Sequence, residues 1–174
     1  MSKANMNYII KHNTINKSRI EVNPNSVDVS KYPKKKNNKK KTKELKLVYG
    51  GNLGLPQNPI LITKFISKIE ALDNISFKII GSGTEFKYIE SYIIKNNISK
   101  TKILRSLTKA SYFEELDNSD VGLIFLNEKF TIPNYPSRLL DYLYFDLAII
   151  SNTDSFTDID EIIVKENLGK SFYA

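Results

Sequence analysis

From Leu45 onward, short apolar runs alternate five times with segments of helical spacing. The runs are LKLVYG, ISFKIIG, KILRSL, DVGLIFL and LAIISN, and the segments that follow them are ILITKFISKIEAL, TEFKYIESYIIKNN, ASYFEELDNS, SRLLDYLYF and TDIDEIIVKEN. Parallel strands need crossover connections, and nearly all-apolar runs suit strands that are buried on both faces. The alternation therefore predicts an α/β fold, a doubly wound parallel sheet, over residues 45–174.

Residues 1–32 predict one amphipathic helix followed by one short strand. The strand is RIEVNPNSVDV, which Pro24 interrupts. So small a piece is not expected to fold alone. The apolar positions of the helix are Met6, Ile9 and Ile10, with Ser2 as the cap.

The net charge of +7 and the pI of about 9.3 reflect the seven lysines of one segment, residues 33–44. The run PKKKNNKKKTK has no apolar periodicity, so it predicts a solvated, Lys-rich linker or loop. A polyanion-binding or membrane-surface patch is the alternative, and the absence of interleaved aromatic residues argues against nucleic acid as a partner. The excess charge belongs to Lys34, Lys35, Lys36, Lys39, Lys40, Lys41 and Lys43.

The chain contains no cysteine and a single histidine, His12. A disulfide framework and a thiolate zinc site are therefore excluded, and a histidine metal cluster or a Ser-His-Asp triad is not expected. His12 is predicted to be a surface residue. No stretch approaches the roughly 20 apolar residues of a membrane span, and no signal-peptide core is present, so the expected location is cytoplasmic.

In a doubly wound sheet, ligands bind outside the carboxyl ends of the strands. The loops expected there are YGGNLGLPQN, GSGTE, RSLTKAS and EKFTIPNYPSR. Glycines in the first two allow positive φ and close approach of a phosphate, although neither loop completes a GxGxxG or GxxxxGK[ST] motif. Taken alone, each glycine loop is typical of a tight turn, whereas the pair together favours an anion site.

The stretch PSRLLDYL predicts an anion site at a helix start. Pro136 suits the first turn, and the N–H groups of Ser137 and Arg138, together with the guanidinium, suit a diphosphate. Asp141 lies one turn further on, where its carboxylate can accept hydrogen bonds from ribose hydroxyls. The alternative is an exposed Arg138–Asp141 pair that contributes only about 0.2–0.5 kcal/mol.

Polar residues at the other predicted helix starts are interpreted as caps and surface charge. Thr84 is expected to cap the helix in TEFKYIESYIIKNN. The run Asp158-Ile159-Asp160 resembles a divalent-metal motif, but its place at a helix start favours capping. No catalytic residue is assigned.

The ordered series IEVNPNSVD, LKLVYGGNLG, FKIIGSGTE, SYFEELDNSDVGLIFL, FTIPNYPSRLLDYL and IISNTDSFTDI resembles the C-terminal, nucleotide-sugar-binding half of family 4 glycosyltransferases. These group 1 enzymes have two Rossmann-like domains, the GT-B fold, and transfer sugars with retention and without a metal. The sequence looks like the subgroup that works on cell-surface polysaccharide. The resemblance implies a nucleoside-diphosphate sugar as donor, a saccharide or lipid-linked acceptor, and no cofactor.

The resemblance also implies roles for individual residues. Asp141 would hold the ribose, and Asn134 would contact the donor sugar because the family's first signature glutamate falls at Pro133. The diphosphate would be held by Gly50, Gly51, Asn52, Ser137 and Arg138, and the base would be received by Arg105, Ser106 and Leu107.

Two departures from the family pattern concern charge and turns. The basic residue expected in or after the first glycine loop is missing, and a glycine and a proline expected after the signature helix are replaced. The positions where the basic residue is expected are occupied by Asn52, Leu55 and Gln57. The expected glycine and proline are replaced by Asp146 and Ala148.

The length departs from the family as well. Residues 1–32 would be the remnant of an acceptor-binding domain, and residues 45–174 would lack the closing helices. We therefore expect a fragment, a split-gene product or a truncated relative that is inactive alone. Two other functions stay open: a non-catalytic nucleotide-binding module that pairs with a separately encoded acceptor domain, and a nucleic-acid binder that uses the Lys-rich segment. That segment could also contact the inner face of a membrane.

Overall fold

The computed structural model describes residues 2–35 and 43–173, and within these ranges it contains six strands and six helices. The strands are β1 Leu45–Asn52, β2 Ile75–Ser82, β3 Thr101–Leu104, β4 Val121–Phe125, β5 Ala148–Thr153 and β6 Gly169–Tyr173. The helices are α1 Lys3–His12, α2 Pro59–Glu70, α3 Phe86–Lys95, α4 Lys109–Asp117, α5 Arg138–Tyr144 and α6 Ile159–Lys165. All five predicted strand–helix units are present, which confirms the α/β class.

The six strands form one parallel sheet in the order β3-β2-β1-β4-β5-β6. The chain runs outward from β1 to β3 and then returns to place β4 on the other side of β1. Strand order therefore reverses between β1 and β4, where Val48 lies beside Gly122. In this topology the reversal point marks where a ligand crevice opens.

Strand β6, at the outer edge, was not predicted. Its sequence GKSFY has no continuous apolar run, and most of it is exposed because only β5 pairs with it. The residues of β6 bury little, so the apolar periodicity that identified the other five strands is missing here.

The helices cover both faces of the sheet and separate the core into two clusters. Leu47 and Tyr49 of β1 face α2 and α3, while Val48 between them faces α4, α5 and α6. Alternate residues of one strand thus enter different clusters, which explains why β1 contains the unbroken apolar run LVY and β4 the run VGLIF.

Helices α3, α5 and α6 end in the same way, with a left-handed residue one position after the cap. The N–H two positions after the cap then returns to a carbonyl five residues earlier, as from Ile98 to Ile93 at 3.1 Å. The left-handed residues are Asn97, Asp146 and Asn167, with φ of 50°, 55° and 54°. Asn and Asp tolerate this conformation better than other side chains.

The start of α3 differs from the prediction. Thr84 is not the cap; Glu85 occupies that position, and no side chain caps the helix. Gly83 has φ +150°, and the Glu85 N–H donates to the Leu53 carbonyl at 2.9 Å. The chain is therefore still turning at Thr84, and the helix begins one residue later than a Thr84 cap requires.

The front segment is part helix and part irregular chain. Helix α1 is confirmed, with the Ser2 hydroxyl accepting the Asn5 N–H at 3.4 Å. The predicted strand RIEVNPNSVDV is wrong, because single 3₁₀ turns flank an irregular stretch there. Pro24 has no N–H for a ladder, and the Asp28 carboxylate accepts the Ser30 N–H at 3.1 Å, which favours a turn.

This front segment packs on the rest of the chain. The Ala4 N–H donates to Asp158 at 3.1 Å, and the Asn5 amide donates to the Pro133 carbonyl at 2.7 Å. His12 is exposed and packs on the Tyr8 ring, which confirms the surface prediction. Four lysines of the Lys-rich segment, Lys36, Lys39, Lys40 and Lys41, lie outside the described residues.

Candidate functional site

A cleft of about 590 Å³ opens outside the carboxyl ends of β1 and β2, beside the start of α5. It lies at the reversal of strand order, where the topology predicts a ligand site. The cleft is lined by Gly50, Gly51, Asn52, Ile80, Gly81, Ser82, Ser106, Leu107, Lys109, Tyr112, Ser137, Arg138 and Asp141. Eight residues to which the sequence assigned a role in nucleotide binding are in this set.

The two glycine loops form one wall of the cleft and meet backbone to backbone. Gly51 and Gly81 are partners in the β1–β2 register, and a Cβ on Gly81 would lie 1.8 Å from the Gly51 carbonyl oxygen. Gly51 also has φ +130°, which a side chain would strain. Packing of the loops thus requires both glycines before any ligand is present.

Arg138 places its guanidinium inside this wall. Its Cζ lies 4.4 Å from the centroid of the Tyr49 ring, and a Cβ on Gly51 would lie 2.9 Å from Nη2. The Nη1 atom is buried and has no hydrogen-bond partner among the described residues. An unpaired buried donor is costly, and Arg138 also lines the cleft, so an anion bound there would lie beside an unused cationic donor.

The start of α5 supplies further donors. The N–H groups of Ser137 and Arg138 donate to no described residue, whereas that of Leu140 donates to the Ser137 carbonyl at 3.1 Å. Pro136 lies just before the cap residue Ser137 and not within the first turn. The unpaired N–H groups of Ser137 and Arg138 therefore lie at the same helix start as the Arg138 guanidinium.

Gly50 is less available to a ligand than the sequence suggested. Its N–H donates to the Tyr142 hydroxyl at 3.0 Å, and a Cβ on it would lie 2.3 Å from the Tyr112 hydroxyl oxygen. Burial raises the pKa of the Tyr112 hydroxyl, which keeps it protonated. The absent side chain at Gly50 makes room for Tyr112.

Asp141 forms no described ion pair with Arg138, so the alternative of an exposed Arg138–Asp141 pair is wrong. Its Oδ1 instead accepts a hydrogen bond from the Tyr32 hydroxyl at 2.5 Å. Tyr32 belongs to the front segment, 109 residues earlier in the chain. Burial and this carboxylate raise the pKa of Tyr32, so the hydroxyl remains a donor.

Three predicted site residues lie differently from the simplest expectation. Asn52 lines the cleft, but its amide donates to Gln57 at 3.2 Å. Arg105 packs over the Phe86 ring at 4.6 Å and does not line the cleft. Asn134 is also outside the lining, and its N–H donates to Thr157 at 3.1 Å. The roles of all three stay predictions.

Lys109, Tyr112 and Ser82 line the cleft and were not assigned a role from the sequence. Lys109 begins α4, and its Nζ lies 5.4 Å from the centroid of the Tyr32 ring. A cation thus lines the cleft although the first glycine loop contains none. Lys109 could have been identified from the sequence, because it lies in RSLTKAS, one of the loops expected at the carboxyl ends of the strands.

The acidic run at α6 does not cap its own helix. Asp158 instead accepts the Ala4 N–H of α1, and Asp160 accepts the Tyr173 hydroxyl. Among residues 2–35 and 43–173, no group of three or more acidic or histidine side chains is placed to hold a metal ion. Metal-independent chemistry stays a prediction. In the described ranges, no helix combines the length and apolar character needed to cross a bilayer.

The sequence matches no protein-family profile and no curated protein. The structure, by contrast, resembles that of WaaG, a glycosyltransferase involved in lipopolysaccharide biosynthesis, with a TM-score of 0.66 and 16% identity over 94% of this chain. The chain has the fold of the C-terminal half of GT-B glycosyltransferases. The fold predicted from the resemblance is thereby confirmed.

Two other solved structures share this GT-B half. One is the C-terminal domain of the group 1 glycosyltransferase LpcC from Francisella tularensis, with a TM-score of 0.55, 14% identity, and coverage of 74% of this chain and 67% of that one. The other is the pneumococcal O-GlcNAc transferase GtfA in complex with UDP and GlcNAc, with a TM-score of 0.53, 16% identity and 68% coverage of this chain. The chain spans 45% of the WaaG chain and 22% of the GtfA chain.

Proposed function

We propose that this chain is the donor-binding half of a family 4 glycosyltransferase. The observation that carries the proposal is the unpartnered Nη1 of Arg138, buried beside a cleft that also contains Asp141 and the free N–H groups at Ser137 and Arg138. A nucleoside diphosphate needs a cation and N–H donors for its phosphates and an acceptor for its ribose. The solved complex of GtfA holds UDP, which supports a nucleotide as the ligand class.

The role of the cleft in catalysis would be to stabilise the leaving diphosphate. Arg138 and the two N–H groups at the start of α5 are fixed in place, so they need no rearrangement when negative charge develops on the departing oxygens. Lys109 would add a second positive charge, in place of the cation missing from the glycine loop. Asp141 would orient the ribose, and the wall formed by Ser82, Ser106 and Leu107 would face the base.

The complete reaction would transfer a sugar, with retention and without a metal or cofactor, to a saccharide or lipid-linked acceptor. The likeness to WaaG supports a cell-surface polysaccharide or lipopolysaccharide pathway. The reaction would take place in the cytoplasm, at the inner face of a membrane. The acceptor would bind a second domain across the cleft. This chain alone would bind nucleotide weakly and would not catalyse sugar transfer.

Calorimetry on the wild-type chain and on Arg138→Met tests the proposal. We expect saturable binding of UDP or GDP, and a loss of about tenfold or more in Arg138→Met, since a charge-assisted contact is removed. Affinity for the nucleoside alone should change little in this variant. Arg19→Met, at an exposed position in the front segment, is the matched control. A wild-type chain that binds neither diphosphate, or binds the nucleoside equally well, contradicts the proposal.

A second function, a non-catalytic nucleotide-binding module, is favoured by one observation. Pro133 stands where a donor-sugar carboxylate is expected, and its carbonyl accepts the Asn5 amide of α1. A module of this kind would bind UDP and UDP-sugars equally, since no side chain recognises the sugar. A clear preference for one UDP-sugar over UDP would exclude it, as would sugar transfer after addition of a separately produced acceptor domain.

A further inference from the structure

Tyr32 is held firmly at the cleft by an aromatic cluster. Its ring stacks on Phe113 with centroids 4.6 Å apart and an interplanar angle of 21°, and it packs against Tyr144 at 4.4 Å. Both partners belong to helices that cover the sheet, and Phe113 is 3% exposed. The hydroxyl of Tyr32 is therefore presented to Asp141 by rigid packing and not by a mobile side chain.

The carboxylate of Asp141 is already partly used. Tyr32 donates to Oδ1 at 2.5 Å, while Oδ2 accepts from no described residue. A carboxylate binds a pair of neighbouring hydroxyls best when each of its two oxygens accepts a hydrogen bond from one of them. The short, charge-assisted bond from Tyr32 competes directly with one member of such a pair.

Asp141 has little freedom to avoid this competition. It lies on α5 between the buried residues Leu139 and Tyr142, and its side chain has only one methylene group. A cleft lined by Asn25, Ser26, Val27, Tyr32, Lys109, Tyr112, Phe113, Ser137, Leu140 and Asp141 adjoins the nucleotide cleft, and four of these residues line both. The front segment thus forms a wall beside the carboxylate.

We infer that Tyr32 is a specificity-determining residue that limits Asp141 to one ribose hydroxyl. The nucleotide would be held through either its 2′- or its 3′-hydroxyl, and the other hydroxyl would contribute little. This inference rests on the proposed function, because it assigns a ligand group to the proposed nucleotide site. It adds that the front segment is part of that site.

The experiment compares UDP, 2′-deoxy-UDP and 3′-deoxy-UDP on the wild-type chain and on Tyr32→Phe, by calorimetry. In the wild type, one deoxy nucleotide should bind as tightly as UDP within about twofold. In Tyr32→Phe, both should bind about fivefold or more weakly than UDP, because each ribose hydroxyl then reaches a carboxylate oxygen. Tyr144→Phe is the matched control: it lies in the same aromatic cluster, but its hydroxyl donates to the Pro33 carbonyl at 3.0 Å.

The outcomes separate this inference from the proposed function. If the wild type discriminates against both deoxy nucleotides, or if Tyr32→Phe leaves the pattern unchanged, Tyr32 does not limit the carboxylate. Either result leaves nucleotide binding intact. If UDP and GDP do not bind the wild type at all, the proposed function fails and the inference fails with it. The wild-type pattern needs no variant, so a misfolded Tyr32→Phe would not prevent the test.

Discussion

The hydroxyl of Tyr142 lies 3.0 Å from the backbone nitrogen of Gly50 and accepts its N–H, and the same hydroxyl is 3.3 Å from the Leu123 carbonyl, to which it donates. Tyr142 is fully buried and thereby ties the first glycine loop to β4 and α5. The N–H of Gly50 is used within the protein, so it is not available to a phosphate, unlike the N–H groups of Ser137 and Arg138.

Substitution Tyr142→Phe should destabilise the chain. It removes the acceptor of a buried N–H and keeps the ring, so the expected loss of unfolding free energy is about 1–3 kcal/mol. Urea unfolding followed by circular dichroism measures it. Tyr8→Phe, which removes a hydroxyl from α1, is the control and should change stability by less than about 0.5 kcal/mol. Equal effects of both substitutions would show that the Tyr142 hydroxyl does not support the loop.

Substitution Lys109→Met should weaken the binding of UDP without affecting the nucleoside. One positive charge would be removed from the cleft, so we expect a loss of about threefold to tenfold that diminishes at high salt. Lys102→Met is the control, since Lys102 lines a different cleft at the opposite end of the sheet. Equal weakening of UDP and uridine would indicate that Lys109 does not contact the diphosphate.

Substitution Asp146→Gly should stabilise the end of α5. Asp146 has φ +55° where the family pattern has glycine, and glycine adopts this conformation without strain. The exposed ion pair with Lys35 at 2.8 Å would be lost, at a cost of about 0–1 kcal/mol. The net gain should therefore be small, and Lys35→Met alone should cost little. If Asp146→Gly lowers the free energy of unfolding while Lys35→Met leaves it unchanged, the backbone of Asp146 is not strained.

Acid stability should depend on Glu70. Its carboxylate accepts the Ser99 hydroxyl at 2.6 Å and the Lys100 N–H at 3.0 Å, and these hydrogen bonds lower its pKa. A lowered pKa in the folded state contributes stability above the unfolded pKa of about 4.3, and that contribution is lost as the pH falls through the folded value. The stability difference between wild type and Glu70→Gln should thus be present at neutral pH and vanish in acid. Glu21→Gln, which removes a carboxylate at an exposed position, is the matched control. A stability difference for Glu70→Gln that stays the same in acid as at neutral pH would contradict the prediction.

The fold was predictable because its signals are local. Each of the five strands from Leu45 to Asn152 has its own apolar run, and the strand-to-helix loops then follow from topology. Strand β6 and the irregular front segment were missed because partner strands, not local pattern, decide them. Val29, for example, lies in a 3₁₀ turn that Asp28 caps and pairs with none of the six described strands.

The candidate site was predictable as a set of loops but not as a set of contacts. Ser137, Arg138 and Asp141 were found from a proline, a cation and a carboxylate in one short stretch. The contact between Tyr32 and Asp141 spans 109 residues and leaves no pattern in either neighbourhood. The contact between Arg138 and Gly51 also leaves no pattern in the sequence, because it depends on how two loops pack.

A titration of the ¹⁵N-labelled chain with UDP and with GDP, followed by amide NMR shifts, tests the nucleotide site most directly. We predict saturable shifts at Gly51, Ser106, Ser137 and Arg138 for at least one nucleotide, with Ser76 and Ser119 at the opposite end of the sheet unchanged. No shifts at these four positions up to about 5 mM nucleotide, or shifts confined to the described lysines Lys34, Lys35 and Lys43, would contradict a donor-binding cleft.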